Sequence, residues 1–132
     1  TSIIHVEDLA RLLVALAPAN PITYGQTYEP WDDNAFGYEH SELAKMIGEA
    51  MGKDQIFAPN LPEPLLRMAS QIDQVVRGAK AKLTPDRVGY MLHPDWVCDL
   101  RKAPPISIWR AVWGGEAGLA MTAEWYKREG WL

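Results

Sequence analysis

Ile3-Ile4-His5-Val6-Glu7-Asp8-Leu9-Ala10 sets a β-branched apolar run directly against an acidic helix start. The run Ile3 to Val6 suits a short buried strand. From there Val6, Leu9, Ala10, Leu13, Leu16 and Ala17 recur at helical spacing, with Glu7 and Asp8 in the first turn, where the helix dipole favours carboxylates. This helix is predicted to run to about Ala17, and Leu12 and Val14 widen its apolar face enough for packing on two sides. An opening of this interior kind, with Thr1 in place of a starting Met, is expected of the back part of a longer chain. The tail Trp125-Tyr126-Lys127-Arg128-Glu129-Gly130-Trp131-Leu132 has the character of a natural finish.

Outward from that stretch, Pro18-Ala19-Asn20-Pro21 stops the first helix, and the β-branched and aromatic residues of Ile22 to Tyr28 predict a strand. Pro30 to Gly37 is rich in turn formers and is predicted to be a loop. A second helix should begin near His40 or Ser41, carry Leu43, Ile47, Ala50 and Met51 on one face and end at Gly52. Gln55 to Pro59 predicts a short strand. Pro62, Glu63 and Pro64 start a third helix with Leu65, Met68, Ala69, Ile72, Val75 and Val76 at three- and four-residue steps, closed by Gly78. Thr84 as N-cap and Pro85 at the first helical position predict a short helix to Leu92. Asp95 to Asp99 predicts one more strand, and a last helix should run from about Glu116 to Arg128 with Leu119, Ala120, Ala123 and Tyr126 inward.

Composition removes several classes of function. The chain has 132 residues, 48% of them apolar and 23% charged, which is ordinary for one globular domain. A net charge of −4 without any Lys/Arg cluster argues against binding nucleic acid. The apolar stretch from Leu9 to Ala19 contains Arg11 and is too short to span a bilayer. Glu7 and Asp8 stand where a secretory leader would be basic. The single cysteine, Cys98, excludes an internal disulfide and fits a reducing, cytoplasmic compartment.

The chemistry-bearing residues read mostly as structural. Gly114-Gly115 precedes a helix but no strand precedes it, so a helix-start turn is favoured over a phosphate loop. His5, His40 and His93 have no neighbour at metal-ligand spacing. Cys98, beside Trp96 and Val97, reads as a buried small hydrophobe. The carboxylate pairs Asp32 with Asp33 and Glu39 with Glu42 read as solvated rather than catalytic. Trp109, Trp113, Trp125 and Trp131 crowd the final quarter and are expected to anchor it to the core.

Four segments, in order, resemble the C-terminal part of an extended short-chain dehydrogenase/reductase of the NAD-dependent epimerase/dehydratase family. Ile4-His5-Val6-Glu7-Asp8-Leu9-Ala10 is similar to its Ile/Val-His-Val-x-Asp-hydrophobic-Ala segment, and Gly37-Tyr38 through Glu42-Leu43 to Ile47 and Gly52 is similar to its Tyr-Ser-x-x-Glu-Leu helix. Trp96-Val97-Cys98-Asp99-Leu100-Arg101-Lys102-Ala103 resembles an aromatic-x-x-Asp-x-x-Lys-Ala segment. Gly118-Leu119, Thr122, Trp125-Tyr126 and Gly130-Trp131-Leu132 resemble the family's ending. Around Ser107-Ile108-Trp109-Arg110-Ala111 only the Trp of the family's Leu-Gly-Trp-x-Pro turn is kept. The glycine-rich cofactor loop is absent, and no tyrosine is followed four residues later by lysine.

The resemblance implies an α/β fold: the C-terminal substrate-binding lobe of a Rossmann-type enzyme, mostly helical with a few short strands. Residues 1–132 would be that region, with 1–28 at the edge of a missing dinucleotide-binding sheet. The parent would move a hydride between NAD or NADP and its substrate using a tyrosine and a lysine upstream, so this chain alone would bind no cofactor and be inactive. The implied partners are the N-terminal Rossmann domain and a small-molecule substrate, for which nucleotide sugars are one family precedent. The substrate contacts it implies are Arg87, Trp96 and His5, against a solvated helix arginine, a core tryptophan and a helix cap as the plain alternatives. The other reading is an independent helical interaction module without catalysis, whose Leu9 to Ala17 helix docks a partner or a second copy as a homodimer.

Overall fold

The computed structural model describes residues 1–18, 20–53, 55–59, 61–93 and 95–132. Ala19 of the predicted helix stop, and Pro94 between His93 and Cys98, lie outside them. The helices are α1 (Val6–Leu16), α2 (His40–Ala50), α3 (Glu63–Arg77), α4 (Pro85–Met91) and α5 (Gly115–Arg128), with single 3₁₀ turns at Gly78–Lys80 and Leu100–Lys102. No strand occurs among the described residues, so the expected α/β class is replaced by an all-helical one. None of these helices is long and apolar enough to cross a membrane.

The four predicted strands fail for identifiable reasons. Pro21 brings no N–H, and Asn20 turns the next residues on themselves: its side-chain oxygen accepts from Ile22 N at 3.1 Å and its carbonyl from Thr23 N at 2.9 Å. Local turn chemistry there outweighs the β-propensity of Ile22 to Tyr28. The opening residues are extended but meet a different partner at each step. Tyr38 N donates to Thr1 O, Ser2 N to Trp96 O and Asp32 N to Ile3 O, each at 2.8 Å, so no ladder is built. Gln55 to Pro59 and Asp95 to Asp99 likewise remain irregular.

The chain forms two compact units. The first joins Thr1–Ala58 to Trp96–Leu132 and contains α1, α2 and α5. Here α2 packs on α5, and its capping box has Glu39 N donating to Glu42 Oε2 at 3.4 Å, the use to which the Glu39/Glu42 pair is put. The inner side of α5 is Gly115, Gly118 and Ala123, while Ala120 and Tyr126, expected inward, are exposed. Trp109 is buried as an anchor; Trp125 and Trp131 instead form a largely exposed edge-to-face cluster with Tyr126.

The organising group of this unit is Asp8, 0% exposed on α1. Its Oδ2 accepts from Val112 N at 3.0 Å and Trp113 N at 2.9 Å, its Oδ1 pairs with Arg11, and its carbonyl accepts from Trp109 Nε1 at 2.9 Å. With the Asp8 and Leu12 face inward, Val6, Ala10, Leu13, Val14 and Ala17 are left exposed along the other side of the helix, rather than buried as the helical spacing predicts.

The second unit, Pro59–Asp95, is α3 packed on α4. The start of α4 follows the predicted chemistry: Thr84 Oγ1 accepts from Arg87 N, and Pro85 opens the helix. Leu66, Ser70 and Val88 are buried, and Asp73 Oδ2 accepts from Lys82 N at 2.7 Å and Leu83 N at 2.8 Å, tying the connection back onto α3.

Burial raises the Asp8 carboxyl, but the amides of Trp113 and Val112 together with Arg11 outweigh it and hold the group below its ordinary value. A carboxylate depressed on folding contributes stability above its unfolded value of about 3.9 and loses that contribution as pH falls through the lower folded value. Asp8→Ala leaves the Val112 and Trp113 amides without their acceptor while Arg11 stays half exposed, and should cost about 1–3 kcal/mol at pH 7, read as a fall in the urea midpoint. Asp8→Asn should show a smaller change in stability than the parent between pH 5 and pH 2.

Candidate functional site

A cleft of about 900 Å³ opens within the first unit. One wall is the extended entry to α1, with Ile3, Ile4, His5, Val6 and Glu7; a second is Leu43 and Ile47 of α2; the third is α5 from Gly115 to Arg128. Asp32 lies at its floor. The lining is mainly apolar with a few polar groups, the composition of small-molecule sites.

The polar floor is made where the 30–38 loop meets the N-terminus of α5. Asp32 is only 4% exposed, which corrects the solvated reading of this residue. Tyr38 Oη donates to Asp32 Oδ2 at 2.6 Å and Asn34 N to Oδ1 at 3.0 Å. Burial pushes the Asp32 carboxyl up, and the neighbouring Asp33 adds to this; the bonds from Tyr38, Asn34 and Gly115 only partly offset them. Burial and the bond to Asp32 push the Tyr38 phenol up to about 12. The tyrosine is thus a fixed donor at neutral pH and not a proton acceptor.

Gly114-Gly115 makes this junction sterically possible. A Cβ on Gly115 would lie 2.6 Å from Tyr38 Oη, and one on Gly114 would lie 2.8 Å from Asp33 Oδ1. The helix N-terminus is an anion site by its dipole and free amides, and the chain's own Asp32 and Asp33 occupy that position. The glycine pair was legible in the sequence as a helix-start turn; its carboxylate partners, some eighty residues earlier in the chain, carried no local signal.

Of the three expected substrate contacts, His5 lines the cleft. It is also the N-cap of α1, its Nδ1 accepting from Glu7 N at 3.4 Å, and its ring meets Trp113 edge-on at 5.9 Å. Trp96 is 45% exposed and is not among the cleft-lining residues, so it is not a core tryptophan. Arg87 belongs to the second unit, where its Nη1 donates to Lys82 O at 2.7 Å. Cys98 is half-buried rather than buried, with its thiol 3.7 Å from Pro30 O. No group of three or more His, Cys, Asp or Glu among the described residues is placed to hold a metal ion.

A phenol whose folded value is raised contributes stability that is fully present below its unfolded value near 10 and lost as pH rises through about 12. In an ultraviolet titration of the five tyrosines, one should ionise last, near pH 12, and Tyr38→Phe should remove that step. The same substitution should cost about 1–3 kcal/mol at pH 7 by leaving Asp32 short of a donor. No protein-family model, curated protein or solved structure matches the chain.

Proposed function

We propose that this chain is the substrate-binding part of an NAD(P)-dependent oxidoreductase of the epimerase/dehydratase kind, and that the cleft floored by Asp32 receives the substrate. The observation that carries this reading is convergence. Ile4 to Glu7, Leu43 and Ile47, and Gly118 to Tyr126 come from three of the segments that resemble that family, far apart in sequence, and they line one cleft. The remaining segment is tied to the same place, with Trp96 O and Cys98 N both bonded to Ser2.

The exposed apolar stripe Val6, Ala10, Leu13, Val14 and Ala17 on α1 supports a companion cofactor-binding domain as the surface that covers it. In that arrangement His5 faces the substrate and the hydride chemistry belongs to the companion. The sequence carries no glycine-rich phosphate loop and no Tyr-x-x-x-Lys pair, and the half-buried Tyr38 phenol is committed to Asp32. NADH fluorescence should be unchanged on adding this chain alone and should respond when it is joined to a domain bearing a Gly-rich strand-turn-helix and a Tyr-x-x-x-Lys pair. Saturable NADH binding by the chain alone would overturn the reading.

A second reading, a self-associating helical module, is favoured by a different observation. Leu65, Met68, Ile72 and Val75 on α3 repeat at three- and four-residue steps, and each is about half exposed or more. Their flanks Ala69, Gln71 and Val76 carry no charge. Light scattering over a hundredfold range of concentration distinguishes the two: a concentration-dependent dimer abolished by Met68→Glu supports the module, and a constant monomer removes it.

A further inference from the structure

We infer that the ligand of the Asp32 cleft is an uncharged, largely apolar small molecule, and that phosphorylated ligands, nucleotide sugars included, are excluded from it. This rests on the reading of the cleft as the substrate site and names the class of substrate. The walls present Ile3, Ile4, Leu43, Ile47, Leu119 and Trp125, a surface whose burial favours apolar ligands.

The charges point the same way. Among the described residues, Glu7, Asp32 and Glu124 line the cleft against one cation, Arg128, whose Nε is already 3.5 Å from Glu129 Oε1. The carboxylates of Glu7 and Glu124 have no ion-pair partner among the described residues, so the cleft carries a negative potential. Recognition of a diphosphate calls for bidentate arginine or a free helix N-terminus. The N-terminus facing this cleft is that of α5, and the chain's own carboxylates, Asp32 and Asp33, already stand there. Tyr38 is likewise committed to Asp32. What remains for a ligand's polar atom are neutral donors: the His5 imidazole, whose Nδ1 accepts from Glu7 N and therefore leaves Nε2 as an N–H donor, and the indole of Trp125 and phenol of Tyr126, which also line the cleft. A carbonyl, ether or hydroxyl oxygen or two on an apolar skeleton meets that provision.

The test titrates the full chain with Nile red, an uncharged apolar dye, and separately with UDP-glucose, a phosphorylated ligand. Two variants fill the cleft from different walls: Ile47→Trp on α2 and Thr122→Met on α5, both checked for parental helicity by circular dichroism. Nile red should bind saturably, and either filler should weaken it by about tenfold or more. UDP-glucose should not bind the parent chain and should begin to bind Glu124→Lys. Nile red binding that neither filler weakens places the dye elsewhere and overturns the inference. UDP-glucose binding to the parent that is lost in Arg128→Ala overturns the substrate class while leaving the cleft as a substrate site. Binding of neither probe to the folded chain overturns both.

Discussion

One buried carboxylate holds the first unit together. Asp8 sits on α1, yet its hydrogen bonds are to Trp109, Val112 and Trp113, more than a hundred residues later in the chain. A buried charge persists only if its lone pairs are met, and here two amides and a guanidinium meet them. That requirement fixes the segment immediately before α5, and thereby the place where Gly114-Gly115 begins that helix. The Asp32–Tyr38 floor, the cleft wall from Gly115 to Arg128 and the packing of α2 on α5 all follow from that placement.

The same constraint explains why α1 turns its apolar residues outward. Helical spacing alone marks Val6, Ala10 and Leu13 as a face to bury, but a helix has one orientation to give, and the unpaired Asp8 would cost more than exposed aliphatics. Exposure of aliphatic side chains forgoes a benefit, whereas an uncompensated buried charge brings a direct penalty. The exposed stripe is thus a by-product of the clamp within this unit and an opportunity for whatever packs there.

Helices and their ends were largely legible in the sequence because their signals are local. Thr84-Pro85, Gly78 and Gly52 each act within a turn of the residue that they govern, whereas the Glu39/Glu42 pair, which reads as solvated, caps α2. Strands were not legible, because a strand needs a partner and β-propensity says nothing about whether one arrives. At Ile22 to Tyr28 a competing local signal, Asn20 beside Pro21, stands in the sequence and outweighs the β-propensity that follows it. Of the site, His5 was visible as part of a motif, whereas Asp32 looked like an ordinary loop acid. Its burial depends on Tyr38 and on a glycine pair eighty-odd residues away, neither of which alternation or spacing reveals.

The clamp also has a consequence in time. The first unit is built from two stretches of chain with Pro59–Asp95 inserted between them. Asp8 cannot be satisfied until residue 113 is available, whereas the contacts of α3 with α4 span at most a few dozen residues. Long-range closure is slow relative to local helix pairing. During synthesis the inserted pair can therefore form early, while α1 waits with an ionised, hydrated carboxylate for the far end of the chain to emerge.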